Sequence, residues 1–209
     1  MAGSHGFPTP AELTDARRTA DLVEVPPRLV LAISGAGAPD QPEFISSLGA
    51  LYGITYGLKF GRKKAGGTDF KVGALVGIWR IEASAHAEGR TPPRESWRWT
   101  MQLDVPPDVA PDEIRNTVSA AVAKKGGKLQ GNPYASKVLL VPEPARQYGR
   151  ILHIGPYSEE PASFRTIEAL LTSSRLRREP WHVEVYLSDP GRTAPDKLKT
   201  VLLAPIAGQ

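Results

Sequence analysis

The stretch Trp181–Ile206, WHVEVYLSDPGRTAPDKLKTVLLAPI, decides how the rest of the chain is read. Its first half alternates. Trp181, Val183, Val185 and Leu187 fall on one face of a strand, and His182, Glu184, Tyr186 and Ser188 on the other. So regular an apolar face is a buried one. Asp189-Pro190-Gly191 ends the strand with strong turn chemistry. After the polar segment Arg192 to Lys197, Thr200 to Ala204 reads as a second strand, closed by Pro205. The polar face of the first strand carries an acid between a histidine and a tyrosine. Ionised Glu is seldom placed where water is scarce. Glu184 is therefore either a site carboxylate or a solvated residue on an edge strand, and the residue types alone leave both open.

Upstream of that stretch, Pro161 to about Leu176 reads as a helix with Phe164, Ile167, Leu170 and Leu171 on its apolar side. Tyr148 to Gly155 and Val138 to Val141 read as strands. Pro111-Asp112-Glu113 opens a helix that stops at Gly126-Gly127. Trp97 to Leu103 alternates as a half-buried strand, and Phe70 to Ile81 is a strand interrupted by Gly73 and Gly77. His86 to Arg94 is a loop and Arg62 to Thr68 a flexible basic turn. Asp40-Gln41-Pro42-Glu43 starts a helix that carries Phe44, Leu48, Leu51, Tyr52 and Thr55 at helical spacing. Gly49, Gly53 and Gly57 on it mark a close approach of backbone or ligand. Leu29 to Ser34 has strand length, Pro26-Pro27 blocks regular structure, and Thr9-Pro10 starts a short helix through Arg18.

The chain echoes itself. A shift of about 120 residues lays Gly35 over Gly155, Phe44 over Phe164 and Leu51 over Leu171. Each half then reads strand, glycine turn, helix, strand, strand. The expected architecture is α+β: tandem βαββ repeats in one antiparallel sheet, with two helices flanking a ligand groove. One domain is expected over 1–209, with a first repeat at about 25–105, a linking helix at about 110–125 and a second repeat at about 136–206.

Composition narrows the function. With 209 residues, 41% of them hydrophobic, the chain can bury an ample core. It has no cysteine, so a disulfide framework, a thiolate zinc site and a cysteine nucleophile are excluded. A net charge of +4 without a basic stripe or a helix-turn-helix pattern speaks against direct nucleic-acid binding. No run is long enough to span a membrane, and no secretory signal is evident, so a cytoplasmic location is expected. The four histidines show no ligand spacing, so no metal and no cofactor are expected.

Several segments together resemble the GyrI-like small-molecule-binding family. They are Val72 to Trp79, Trp97-Arg98-Trp99-Thr100, His153 to Pro161 (HIGPYSEEP), Glu184 to Pro190 (EVYLSDP) and Lys197 to Thr200 (KLKT). The closest likeness is to stand-alone members of the cyclopropanoid cyclopropyl hydrolase type. The resemblance runs from Val25 to Pro205, and the last two segments are its most specific part. It implies the tandem βαββ fold and a groove for bulky, flat drugs, with Glu184 at the floor. It also implies ring opening of cyclopropane-bearing DNA-alkylating antibiotics in some members, and mere binding, sequestering or sensing in others. A relation to the haem-binding SOUL fold is a poor alternative for a chain with no supporting motif. In one place the chain departs from the family. Where members read Leu-Glu-Gly-Leu-Trp-Trp, Leu75 to Arg80 reads Leu-Val-Gly-Ile-Trp-Arg. Val76 and Arg80 therefore replace an acid and a tryptophan.

Under this resemblance Glu184 and Tyr186 are the catalytic candidates. Tyr52, Tyr56, Trp79, Trp99, Tyr157 and His182 are the ligand-binding ones. For the tyrosines and tryptophans, simple core packing is the alternative. The expected chemistry has the carboxylate take a proton from water while a Tyr or His donor stabilises the oxyanion that forms on ring opening. The expected partner is a small-molecule drug or antibiotic, and pairing into a homodimer is left open. A non-catalytic drug-binding or ligand-sensing protein is the competing reading.

Overall fold

The structure is a computed structural model and describes residues 9–67, 69–80 and 93–208. Its strands are β1 (Asp21–Val25), β2 (Arg28–Ala36), β3 (Leu75–Arg80), β4 (Arg98–Val105), β5 (Leu139–Glu143), β6 (Arg146–Ile154), β7 (Trp181–Tyr186) and β8 (Lys199–Pro205). Its helices are α1 (Ala11–Thr14), α2 (Pro42–Lys64), α3 (Pro111–Ala123) and α4 (Glu160–Ser173). All eight strands form one sheet in the order β1-β6-β8-β7-β3-β4-β2-β5. Every neighbouring pair is antiparallel.

That order is symmetrical about the β7–β3 pair. One unit is β2-α2-β3-β4 and the other β6-α4-β7-β8, so the tandem βαββ arrangement read from the sequence is present. The structure adds an exchange. β1, which precedes the first unit, pairs with β6 of the second, and β5, which precedes the second, pairs with β2 of the first. Only Pro26-Pro27 separates β1 from β2, and only Pro144-Ala145 separates β5 from β6. A connector of that length spans roughly 11 Å at most. It can join strands from opposite ends of the strand order only if the sheet curls back on itself.

The sheet is buried on both faces. On one, α2 covers β2 and β4 through Phe44, Leu51, Ile54 and Leu58 against Leu31, Ile33, Met101 and Leu103. On the same face, α4 covers β6 and β8 through Ile167 and Leu171 against Ile151 and Leu202. The opposite face holds Val76, Ile78, Val183, Val185, Val201 and Leu203, plugged by Leu13 of α1. A polar staple crosses that face at one end of the order. Arg28 reaches Asp104 at 3.2 Å and Gln102 at 2.6 Å, and the Gln102 amide donates to Glu143 at 2.5 Å. Burial raises the Asp104 carboxyl, and the Arg28 charge and hydrogen bond oppose it.

Several local expectations change. β1 was not expected. Its Asp21-Leu22-Val23-Glu24-Val25 carries two acids and becomes a strand through its partner β6. Pro26-Pro27 accordingly punctuates two strands. The helix expected through Arg18 stops at Thr14. The expected basic turn begins as the last turn of α2, where Arg62, Lys63 and Lys64 suit the negative end of the helix dipole. The strand expected from Phe70 forms only from Leu75, so Gly73 lies outside the ladder, and Ile81 lies outside the described residues. Most of the expected loop His86 to Arg94 also lies outside them; Arg94 opens a 3-10 turn through Ser96. α4 ends at Ser173 instead of near Leu176, because Arg175 turns left-handed (φ 58°) and Leu176 N–H bonds back to the Leu171 carbonyl at 2.8 Å. Gly53 and Gly57 do mark a close approach, but of this chain's own Leu129 and Thr117.

Candidate functional site

The two covering helices sit over the outer strands of their own units. The central strands β3 and β7 lie between them and form the floor of a trough. Pairing sets the floor residues side by side: Leu75 with Tyr186, Gly77 with Glu184, Trp79 with His182. Phe44 of α2 stacks on Trp79 with ring centroids 6.1 Å apart, and Phe164 of α4 meets His182 edge-on at 4.9 Å. The two phenylalanines that the repeat laid over each other thus close one end of the trough from opposite sides.

At the centre is Glu184, 9% exposed. Its two oxygens are held differently. Oε1 lies 3.0 Å from His182 Nε2, which acts as donor here, and Oε2 accepts the Tyr186 hydroxyl at 2.7 Å. Tyr186 O in turn accepts the indole N–H of Trp79 at 3.0 Å. Gly77 makes room for this relay. A Cβ there would lie 3.0 Å from Trp79 Nε1 and 3.1 Å from the Tyr186 hydroxyl. Burial first and the Glu184 charge second raise the Tyr186 hydroxyl well above its ordinary value. It therefore remains a donor across the physiological range.

A second carboxyl joins the first. Glu160, the first residue of α4, is 6% exposed and lies close enough to Glu184 for the two carboxyls to interact. Its Oε1 receives no hydrogen bond from any N–H or O–H donor among the described residues. Burial and then the Glu184 charge push the Glu160 carboxyl up to about 9. Two adjoining carboxyls in a dry site do not both ionise readily, and burial beside the Glu184 charge favours the protonated form of Glu160. The pair thus holds one negative charge and one proton. Tyr157 meets Tyr186 edge-on at 6.1 Å, and burial followed by the charges of Glu184, Glu160 and Asp189 pushes its hydroxyl up to about 12. Burial, Tyr56 and Asp189 likewise raise Tyr52. The Asp189 charge thus acts on both Tyr52 and Tyr157.

Of the residues singled out from the sequence, the structure brings together Glu184, Tyr186, Trp79, His182 and Tyr157, while Tyr52 is half-buried on α2 against the core cluster that includes Trp79. Trp99 is buried beneath Phe44, edge-on at 4.9 Å. Tyr56 is exposed and stacks on Phe60 at 6.1 Å, outside the cluster. Glu160 was missed. An acid at a helix start is ordinary dipole chemistry, and only the fold turns this one inward. Val76 faces the opposite core, and Arg80 is exposed beside Trp181 at 5.5 Å. Val76 and Arg80 thus both lie off the trough floor. No helix among the described residues is long and apolar enough to cross a membrane, and no three His, Asp or Glu among them could hold a metal.

Two pseudo-symmetric units and two buried acids between their helices characterise this α+β domain. Residues 104–207 match the model of the GyrI-like small molecule binding domain. A hydrolase from Listeria innocua is similar, with TM-score 0.78 and 27% identity over 92% of this chain and 93% of its own. An uncharacterized conserved protein from the same organism matches with TM-score 0.81 and 28% identity over 92% and 94%. The C-terminal domain of EcmrR shares the fold alone, with TM-score 0.55 and 13% identity over 91% and 98%. No curated protein sequence matches the chain.

Proposed function

We propose that the protein binds flat, aromatic electrophiles in the trough over β3 and β7 and opens a strained cyclopropane ring in them by adding water. The reading rests chiefly on the Glu160–Glu184 pair, one proton and one charge on an aromatic floor. Glu184 orients a water and accepts its proton. The water oxygen bonds to the ring carbon, the ring C–C bond breaks, and its electron pair passes to the conjugated carbonyl oxygen, which ends as a phenol. Tyr52 and Tyr157, both kept protonated, supply hydroxyl donors for that developing charge. The aromatic side chains hold the ligand in register. The net change is one water added, and no covalent enzyme intermediate is needed. The similar Listeria innocua protein described as a hydrolase supports a hydrolytic role. Detoxification of DNA-alkylating antibiotics is the corresponding biological task.

The single negative charge beneath aromatic rings also suits a lipophilic cation that is bound and not turned over. Glu184→Gln separates the two. For a neutral electrophile, water addition followed by mass spectrometry should slow about 100- to 10,000-fold, while the Kd moves about tenfold or less. For a cation, the Kd itself rises steeply. Unchanged turnover in the variant removes Glu184 from the mechanism. Tight binding with no added water across several cyclopropane alkylators gives the protein to the sequestering class.

A further inference from the structure

Glu160 is the first residue of α4, and one imidazole outside the trough is hydrogen-bonded on both sides of that start. His153 of β6 points to the helix face and is 5% exposed. Its Nε2 lies 3.2 Å from the Pro156 carbonyl and its Nδ1 2.9 Å from Ser163 Oγ. A carbonyl can only accept, so Nε2 carries the proton and Nδ1 accepts from the serine hydroxyl. Pro156 and Ser163 bracket the residues that serve the site, Tyr157 and Glu160. The turn between them is tightly packed. Gly155 has φ +141°, its N–H bonds the Leu198 carbonyl at 3.0 Å, and a Cβ on it would meet Glu159 Oε2 at 3.3 Å and His153 Nε2 at 3.4 Å.

We propose that His153 and Ser163 form a latch that positions Tyr157 and Glu160 against Glu184 from outside the trough. His153 touches no ligand in this scheme and is a positioning residue. The inference rests on reading the Glu160–Glu184 pair as the working part of the site. The groups facing Glu160 are Glu184 and Tyr186 from β7 and Tyr157 from its own turn, with His182 behind Glu184. None but His182 can be a cation, so closeness to Glu184 and dryness govern the Glu160 proton.

The test is a carbon-13 NMR titration of the glutamate carboxyls in the full, ligand-free chain. In the wild type the Glu160 signal should titrate near 9. In His153→Ala the bracket opens, Glu160 reaches water, and its midpoint should fall by about two pH units or more. His153→Gln presents the same donor and acceptor as the neutral imidazole and should restore most of the shift. Ser163→Ala, at a half-buried helix position, removes one of the two ties and should lower the midpoint by about one pH unit. If His153→Ala does not fold, the Ser163→Ala result decides. Folded alanine variants whose Glu160 titrates as in the wild type overturn the latch. So does a glutamine variant that behaves as the alanine one, since that would leave only packing. The readout involves no turnover, so it can fail while the hydrolase reading stands, and the reverse.

Discussion

At Glu160 a carboxylic acid is made dry, set beside a charge, and left with its proton. This has a consequence for stability as well as for chemistry. The folded state holds the Glu160 proton up to about 9, whereas an unfolded chain releases it near 4.5. Between those values the folded chain binds more protons than the unfolded one, so stability falls as pH rises. The contribution is fully present below about 4.5 and gone once pH passes about 9. Glu160→Gln cannot titrate. Its stability relative to the wild type should therefore improve steadily from pH 5 to pH 9, in urea unfolding curves measured at matched ionic strength. Parallel wild-type and variant curves would mean that Glu160 is ionised in the fold. The residue scale is also where the sequence was least informative. The alternation around Glu184 left it open between a site carboxylate and a solvated edge residue, and nothing distinguishes Glu160 from Glu159 until the helix start is fixed in space.

Elements were more legible than residues. Every strand with a clear apolar period was found, because period-two burial shows directly in residue types. β1 escaped because Asp21-Leu22-Val23-Glu24-Val25 is short and shows no clear alternation, and its strand character comes from β6. The limits of β3 and α4 were also misplaced, since glycine spacing and a left-handed Arg175 act through local backbone geometry. Glycines on these elements then divide by what surrounds them. Gly149 of β6 lets α4 sit close, and a Cβ there would lie 2.6 Å from Ile167 Cγ2. Gly149→Ala should lift α4 and cost about 1–3 kcal/mol. Gly49 lies within α2 with open space at its Cβ position. Gly49→Ala should stabilise by about 0.4–1 kcal/mol through the unfolded chain. Denaturant midpoints for the two variants should move in opposite directions, and a shared direction would contradict the packing described for α4.

For the whole molecule, the exchange of leading strands determines how the two units depend on each other. The repeat was visible in the sequence through Phe44 and Phe164, but the exchange was not, because it depends on which edge each short connector reaches. β6 needs β1 on its outer side, and β1 is tied to β2 of the other unit by Pro26-Pro27. β2 needs β5, tied to β6 by Pro144-Ala145. The central β3–β7 ladder adds six residue pairs between the units. Arg150 fastens β6 to Asp21 at 2.6 Å and to the Glu12 carbonyl at 2.7 Å, so the segment before β2 is bound into the second unit. Separating the units would expose two strand edges and the apolar face plugged by Leu13. Unfolding one unit therefore withdraws a neighbour from the other, and the chain should unfold in a single transition. Three of the four tryptophans, Trp79, Trp97 and Trp99, report on the first unit, and Trp181 on the second. Urea curves followed by tryptophan fluorescence and by far-ultraviolet circular dichroism should coincide. So should the curve of a Trp181→Phe variant, whose fluorescence sees only the first unit. A fluorescence transition displaced from the dichroism one would show two independently folding units, and the exchanged strands would then count as surface decoration.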